Sequence, residues 1–355
     1  MATSDGKRAT RERYANGTGE DTWSVVHGDS FTVLADLAPE SVDAVVCDPP
    51  YGIDFNGEHW DGPTIRRAVA QPGRKLTPGQ AFQVWSGQWA SECRRAMRPG
   101  AHLAAFAAPR TAHRLACALE DNGFELRDTL MWLYGTGMPK SRRLPGGQAL
   151  SLKPAYEPIL LARKPPELPV ERNIGRHRTG ALNTDACRVN HRYPANVLLA
   201  HHPECTPAAC RPMCPTTVIG RSRRPGGPLV DASRVFYCPK ASRSERDAGC
   251  DQLPRRPLDL FPQAVRRGRH PPAAANAHPT VKPIAVMRWL TRLVTPLDGL
   301  VLDPFCGSGS TGAAAILEGR RFLGIERELD YVTIARARIS HWAEHPADPP
   351  QDTRP

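Results

Sequence analysis

The sequence lacks any long hydrophobic run. Its 355 residues contain no stretch that approaches the roughly 18 consecutive apolar residues of a membrane-spanning helix. The first 22 residues are polar and lack the apolar core of a secretory signal. No internal repeat is apparent. We therefore expect a cytoplasmic protein without a membrane partner, built as one large domain with an insertion or as two domains.

Positive charge is the strongest compositional feature that is present. Lysine and arginine number 47 against 36 aspartates and glutamates, which gives a formal net charge of +11. Such an excess favours a polyanionic partner, most simply nucleic acid. A genome rich in G and C would also favour arginine, but it explains the net excess less well. Because no export signal is seen, the ten cysteines are expected to be reduced thiols.

The apolar pattern divides the chain into two regular parts around an irregular one. In the middle part proline, arginine and cysteine accumulate, and the runs "RSRRPGGP" and "RRGRHPPAAANAHP" are not expected to form regular structure. The expected divisions are a flexible tail (1–22), a first regular half (23–164), a basic insertion (165–278), a second regular half (279–343) and a disordered tail (344–355).

Strands and helices are expected to alternate in both regular halves. The chain ends in a strand, a glycine-rich turn, a helix, a strand and a helix, which is a parallel-sheet unit of the α/β class. The predicted helices are 81–97, "TAHRLACALEDNG", 281–295, "TGAAAILEG" and a last one through residue 340. The predicted strands are 23–26, 42–47, 102–108, "FELRDTLMWLY", "YEPILLARK", "LVLDPF" and "RFLGIE".

The segment "DPFCGSGSTG", residues 303–312, follows a strand and opens a helix. Glycines in such a turn let a ligand approach the backbone, and an acid at the end of the next strand can hold ribose hydroxyls. Glu326 lies 23 positions after Asp303, close to the expected separation of about 20. The segment lacks both Gly-Lys-Ser/Thr and a third glycine. It therefore suits an adenosyl ligand without a diphosphate.

A second strand runs into "DPPYG" at residues 48–52. It places a carboxylate, a rigid proline pair and an aromatic ring at the carboxyl end of the strand. In an open parallel sheet, ligands bind beyond the carboxyl ends of the strands, where the strand order reverses. We therefore expect Asp48 and Asp303 to face one crevice. The alternative is a rigid turn that only caps the strand.

Together, "DPPYG" and "DPFCGSGSTG" resemble the signature motifs of S-adenosylmethionine-dependent amino-group DNA methyltransferases. The stretches "HGDSFTVLADL", "MRPGAHLAAF", "HPTVKPIAVMRWL" and "FLGIERELDYVTIARARI" are also similar to that family. The motif order is that of its circularly permuted β group, in which the target-recognition region lies between the two halves. The resemblance covers most of 23–164 and 278–340. It implies a Rossmann-like sheet with helices on both faces and S-adenosyl-L-methionine as the cofactor.

The resemblance implies a catalytic role for the "DPPY" residues. The amino group of adenine is a poor nucleophile because its lone pair is delocalised into the ring. Asp48 and the Pro49 carbonyl would accept its two N–H hydrogens and so direct the lone pair towards the methyl group. Pro49 and Pro50 would fix the backbone, and Tyr51 would offer a face on which an extruded base can stack.

The resemblance also implies a set of cofactor-binding residues. The glycine turn would cradle the methionine and adenosine parts, and the acid after it would hold the ribose. Asp29 would lie near the adenine ring, although it could instead cap the following helix. Lys282 and Pro283 match the segment that leads into the helix beside the methionine tail. The full set is Asp29, Lys282, Asp303, Phe305, Gly307, Gly309 and Glu326.

The activity that the resemblance implies is methylation of N6 of adenine in double-stranded DNA. The nearest alternative is N4 of cytosine, whose enzymes more often carry serine at the position of Asp48. Methylation of RNA or of protein amides, and an inactive DNA-binding relative, are more distant alternatives. A restriction endonuclease partner is left open, as is the choice between monomer and homodimer.

The insertion contains residues whose roles stay open. Cysteine thiolates with a nearby histidine could bind a structural zinc ion, or the thiols could be free; the candidates are Cys205, Cys210, Cys214 and Cys238, with His201 and His202. The basic stretches 135–143 and 239–247 could contact DNA phosphates or be solvated loops. The arginines at 221, 223 and 224 are expected to contact phosphates, so that replacing them flattens the salt dependence of DNA binding. The alternative is that they belong to a disordered, dispensable loop.

One aromatic residue near the first motif has two interpretations. Trp60, with Asp61 beside it, follows "DPPYG" closely and could line a pocket for the target base. A tryptophan packed in the core is an equally good interpretation.

Overall fold

The computed structural model describes residues 22–346, except 56–57, 59, 72, 74, 135–144, 149–151, 153, 190, 192, 200–235, 239 and 258–272. The described part contains a nine-stranded sheet with the order β1–β11–β10–β2–β3–β5–β4–β6–β7. Its strands are β1 (Trp23–His27), β2 (Val42–Cys47), β3 (Met97–Phe106), β4 (Glu125–Leu133), β5 (Tyr156–Arg163), β6 (Val197–Leu199), β7 (Phe236–Tyr237), β10 (Leu300–Asp303) and β11 (Arg321–Glu326).

The two halves of the chain meet inside this sheet. The last two strands, β10 and β11, insert between β1 and β2, and all four pairings from β1 through β3 are parallel. The order of strands therefore reverses between β10 and β2. Their carboxyl ends carry the two acidic motifs, so the sheet places both at one switch point. This confirms the permuted Rossmann-like arrangement.

Helices cover both faces of the sheet. One face carries α1 (Ser30–Asp36), α2 (Pro63–Ala68), α3 (Pro78–Ala96) and α4 (Ala112–Asp121). The other carries α7 (Ile284–Val294), α8 (Ser310–Leu317) and α9 (Leu329–Glu344). In β2, Ala44 and Val46 pack on one side and Val45 and Cys47 on the other. A strand buried on both faces is mostly apolar, and β2 has only the buried Asp43 among its apolar residues, which explains why its sequence predicted it well.

Helix α3 and strand β3 differ in extent from their predictions. The helix begins at Pro78, three residues before the predicted start, because Thr77 and Gln80 form a capping box. The strand begins at Met97, whereas the sequence predicted 102–108. Pro99 and Gly100, which follow the predicted helix, lie in a bulge of this strand, where the pairing to β2 shifts register.

Parts of the 165–278 segment form elements that the sequence analysis did not predict. They are α5 (Val170–His177), β6, β7, α6 (Arg243–Asp247), β8 (Arg256–Pro257) and β9 (Ala273–Ala274). Helix α5 packs beside β3, where the Asn173 amide donates to the Pro99 carbonyl at 2.9 Å. Strand β9 lies in one of the runs expected to be irregular. These elements are only two to eight residues long, so they leave little periodicity in the sequence.

Among the described residues, no helix combines the length and apolar character that a bilayer span requires.

Candidate active site

The loop after β2 is held in shape by a buried carboxylate. Asp61 is fully buried and accepts backbone N–H bonds from Gly52 at 2.6 Å, Ile53 at 3.1 Å and Phe55 at 2.9 Å. Gly52 adopts φ +67°, a conformation that favours glycine. Asp61 therefore anchors the loop, in contrast to the interpretation that it lines a base pocket. Its neighbour Trp60 does line the cleft.

Asp48 lies in a network of charged and hydroxyl groups. The Lys282 ammonium contacts Asp48 Oδ2, and the Tyr51 hydroxyl donates to Asp48 Oδ1 at 2.6 Å. Glu157 Oε2 lies 3.5 Å from Lys282 Nζ and 3.4 Å from the Tyr51 hydroxyl. The Tyr134 hydroxyl donates to Glu157 Oε1 at 3.2 Å. The network therefore joins β2, β5 and the segment before α7.

The charge states in this network follow from burial and pairing. Burial raises the pKa of Asp48, and the nearby Lys282 ammonium opposes that rise. Burial lowers the pKa of Lys282, but the carboxylates of Asp48 and Glu157 outweigh it, so the pKa ends above its ordinary value. Lys282 therefore stays charged and stabilises the ionised form of Asp48. The sequence placed Lys282 at the cofactor, whereas the structure shows its ammonium at Asp48.

Asp303 braces the glycine turn from the end of β10. Its Oδ1 accepts the Phe305 N–H at 3.0 Å, and its Oδ2 accepts the Thr311 hydroxyl at 2.5 Å. The side chain is 2% exposed. Burial raises its pKa to about 7, against the effect of these two hydrogen bonds. A buried acid that is costly to ionise indicates a functional site.

Glu326 holds the turn from the neighbouring strand. Its Oε2 accepts the Gly307 N–H and its Oε1 accepts the Glu328 N–H, both at 2.8 Å. Burial raises the pKa of Glu326, although these backbone hydrogen bonds favour its ionised form. Glu326 therefore fixes the backbone of the turn as well as facing the cleft.

The glycines of the turn are required by geometry. Gly307 adopts φ +52°, and a Cβ there would lie 2.7 Å from His278 Nε2. Gly309 adopts φ +77° at the N-cap of α8, and a Cβ there would lie 2.9 Å from Ala335 Cα. The turn is thus packed against α9 and against the segment before α7.

Replacing Gly309 by alanine is expected to lower the free energy of unfolding by about 3 kcal/mol, because strain at positive φ adds to a backbone clash. Gly319 is a matched control, since it has a similar φ of +67° with open space around it. Gly319→Ala should cost only about 1 kcal/mol. Urea unfolding of both variants measures the difference. Equal losses would show that the packing against Ala335 is unimportant.

One cleft joins the two motifs. It contains about 1000 Å³ of empty space, part of it open to solvent. Three of the predicted site residues, Pro49, Tyr51 and Gly309, do not line it: the Tyr51 hydroxyl is hydrogen-bonded to Asp48, and Gly309 is the N-cap of α8. The predicted residues that line the cleft are Asp29, Asp48, Pro50, Lys282, Asp303, Phe305, Gly307 and Glu326.

The cleft is acidic in a protein with a net positive charge. Among the described residues of its lining, five carry carboxyl groups and two are cations. The acids are Asp29, Asp48, Asp303, Glu326 and Glu328, and the cations are Lys282 and Arg327. His278 adds no charge, since burial and nearby cations lower its pKa to about 3. Such a lining attracts a cationic ligand and repels a polyphosphate.

Both interpretations of Asp29 agree with its position. Its Oδ1 accepts the N–H groups of Phe31 at 3.0 Å and Thr32 at 3.4 Å, so it caps α1. It also lines the cleft, beside the rings of Phe31 and Phe305. The Phe305 ring lies 5.6 Å from the ring of Trp85. This wall could accept an aromatic ring of a ligand.

A buried arginine of α9 braces the glycine turn and ties it to the end of the insertion, a role that sequence reasoning missed. Arg338 of α9 is fully buried and donates to the Ser308 carbonyl at 2.6 Å and the Glu245 carbonyl at 3.4 Å. Arg246 donates to the His278 carbonyl at 2.8 Å. Arg246 lies in the stretch 239–247, for which phosphate contacts are one interpretation. Its side chain is instead hydrogen-bonded to the protein's own backbone. Only contacts between distant segments reveal this.

Several predictions concern residues outside the described part of the chain. They are Cys205, Cys210, Cys214, His201 and His202 of the zinc hypothesis, the arginines at 221, 223 and 224, and the stretch 135–143. Cys238 is described and lies in the main core. Within the described ranges, no group of three or more histidine, cysteine, aspartate or glutamate residues is placed to hold a metal ion. The zinc site stays a hypothesis.

Comparison with known families agrees with this geometry. A family model described as DNA methylase, N6_N4_Mtase, matches residues 42–337, which include both motifs and the insertion between them. The chain belongs to the N6/N4 DNA methylase family. It is therefore a DNA methyltransferase of the amino-group class. The cofactor of this family is S-adenosyl-L-methionine.

Individual relatives match this methyltransferase over most of their length. Type II methyltransferase M.HindIII of Haemophilus influenzae is 24% identical over 357 residues, covering 89% of this chain and 94% of the relative. Type II methyltransferase M2.LlaDCHI of Lactococcus lactis subsp. cremoris is 22% identical over 321 residues, covering 90% of each. The solved cytosine-N4-specific PvuII DNA methyltransferase is 16% identical, with a TM-score of 0.54 and coverage of 91% and 92%, which supports the fold.

Proposed function

We propose that this methyltransferase moves a methyl group from S-adenosyl-L-methionine to N6 of adenine in double-stranded DNA. The observation that carries the proposal is the paired carboxylate of Asp48 in the cleft that Asp303 and Glu326 also line. The "DPPY" sequence supports adenine, because cytosine enzymes of this kind more often carry serine at the position of Asp48.

The catalytic work assigned to the chain is to activate a weak nucleophile. Asp48 and the Pro49 carbonyl would accept the two N–H hydrogens of the target amino group, which takes its lone pair out of conjugation. Pro50 fixes the backbone around that carbonyl. When bound, the cofactor supplies a methyl group on a strongly electrophilic sulfonium. No side chain needs to form a covalent bond.

The cleft fits a sulfonium cofactor. Its acidic lining suits a ligand with positive sulfur and ammonium groups, and few cations are present to bind a diphosphate. Glu326 and Asp303 would hold the ribose and methionine parts above the turn of Gly307 and Gly309. Phe305 and Asp29 would contact the adenosine part.

Aromatic side chains near Asp48 suit a base taken out of the duplex. Trp60 lines the cleft and lies 6.1 Å from the Phe55 ring, with 30° between the rings. Its indole N–H is buried and has no hydrogen-bond partner among the described residues. We propose that Trp60 flanks the extruded base, which must leave the stack to reach Asp48.

Sequencing DNA modification in a host that expresses the protein tests the base. The proposal predicts N6-methyladenine in one short sequence motif. N4-methylcytosine instead would support the cytosine alternative, which the family and the fold of PvuII methyltransferase keep open. The type II relatives also suggest a restriction endonuclease partner as a further proposal.

A further inference from the structure

Glu157 reaches the catalytic edge because β5 runs against its neighbours. Strand β5 is antiparallel to β3 and β4, so its first residues lie where the other strands end. Glu157, its second residue, pairs in register with Trp132. Its side chain is 18% exposed and points to the group of Asp48, Lys282 and Tyr51. In the sequence, Glu157 is a single acid in an apolar strand, and nothing there indicated that it lies beside Asp48.

Glu157 and Asp48 compete for the same two partners. The Tyr51 hydroxyl carries a single proton, which it donates to Asp48 at 2.6 Å, while Glu157 lies at 3.4 Å. A small rotation of that O–H bond would make Glu157 the hydrogen-bond acceptor instead. The Lys282 ammonium has three protons and contacts both carboxylates. Glu157 can therefore keep its contacts with Lys282 and Tyr51 when Asp48 accepts a hydrogen bond from another donor.

The charge count gives Glu157 a second effect. Without Glu157, the carboxylate of Asp48 and the ammonium of Lys282 would form a neutral pair. With Glu157 present, two carboxylates share one ammonium, and the group carries one net negative charge. Methyl transfer leaves positive charge on the amino nitrogen until one of its protons departs. A fixed negative charge nearby stabilises that state.

We propose that Glu157 is a positioning residue for methyl transfer, which holds Lys282 and Tyr51 and keeps the group around Asp48 net negative. The inference rests on the proposed role of Asp48 in methyl transfer. It differs from a structural role, in which Glu157 would only satisfy the buried ammonium of Lys282.

Replacing Glu157 with glutamine should lower kcat by about tenfold to a hundredfold, because one preorganised charge acting through its neighbours is lost. The acid limb of the kcat–pH profile should also move to lower pH. Burial raises the pKa of Asp48, and Glu157 adds to that rise, whereas Lys282 and Tyr51 oppose it. Removing the Glu157 charge therefore lowers the pKa of Asp48, while the plateau rate falls.

Two further variants separate charge from shape. Glu157→Asp keeps the charge and should keep the wild-type acid limb, with a smaller loss of kcat. Glu125→Gln on β4 is the matched control, since Glu125 is ion-paired with Arg163 away from Asp48, and it should leave both readouts unchanged. Circular dichroism confirms that each variant is folded.

A measurement without methyl transfer completes the test. Nuclear magnetic resonance of labelled lysine side chains should show that the pKa of Lys282 falls in Glu157→Gln, because one of the carboxylates that raise it is lost. An unchanged Lys282 titration, or an unchanged kcat and acid limb, would overturn the inference. A wild-type protein that methylates no DNA would instead overturn the proposed function, and the lysine titration still reports on Glu157.

Discussion

Replacing Asp48 with asparagine is expected to lower kcat about a thousandfold, at the upper end for loss of one preorganised electrostatic group. The amide keeps the size of the carboxylate but loses its charge and one acceptor. It also leaves the ammonium of Lys282 paired with Glu157 alone. Asp48→Ala should be at least as inactive. Single-turnover methylation with saturating cofactor measures the effect.

Cofactor affinity of the same variant should stay close to that of the parent protein, because Asp48 is assigned to the base. Isothermal calorimetry provides this comparison. Asp54→Asn is a suitable control, since Asp54 lies on the same loop, pairs with Arg66 and has a φ of +56° that asparagine tolerates. A folded Asp48 variant that no longer binds the cofactor would refute the assignment.

The second large effect is expected at the glycine turn. Alanine in place of Asp303 or of Glu326 should weaken cofactor binding at least about tenfold, since each removes a carboxylate that both braces the turn and faces the cleft. The Glu326 variant also leaves the N–H groups of Gly307 and Glu328 without their acceptor. Unchanged affinity in both variants would exclude this turn as the cofactor site.

Asp303→Asn adds a distinct prediction about stability. The pKa of Asp303 is about 7 in the folded protein, above an unfolded value of about 3.9. Folding therefore favours the protonated acid, and the stability it contributes is lost as pH rises from about 4 to 7. Asparagine can keep the bonds to Phe305 and Thr311 without a buried charge. At pH 8 this variant should unfold at a higher temperature than the parent while binding cofactor more weakly.

A control at the other end of β10 separates the two effects. Asp298 precedes this strand and lies far from the turn that Asp303 braces. Asp298→Asn should therefore leave the cofactor affinity unchanged. If Asp303→Asn lowered the melting temperature at pH 8, the buried charge would not be the dominant cost at that position.

The core of the fold was predictable because it repeats strong local patterns. Strand β2 buries apolar residues on both faces, and the turn at 303–312 combines a strand, glycines and a helix in the expected order. Both acids lie at strand ends, so the general rule for parallel sheets placed them together. The predicted cleft followed from topology and needed no knowledge of side-chain contacts.

The residues that complete the site were less predictable. Asp61 anchors the "DPPY" loop through backbone bonds, and a single acid after a loop does not predict its acceptors. Glu157 reaches Asp48 because β5 is antiparallel, and the direction of that strand is not encoded in its apolar pattern. Arg338 and Arg246 look like surface arginines in the sequence, yet both support the segments beside the cleft.

Transfer of a labelled methyl group to DNA by the purified protein tests the central claim most directly. The DNA is incubated with methyl-labelled S-adenosyl-L-methionine, digested to nucleosides and separated, with the Asp48→Asn variant run beside it. We predict that the label elutes with N6-methyldeoxyadenosine and that the variant gives almost none. Label in N4-methyldeoxycytidine would contradict the assigned base, and DNA without label would contradict the assigned activity.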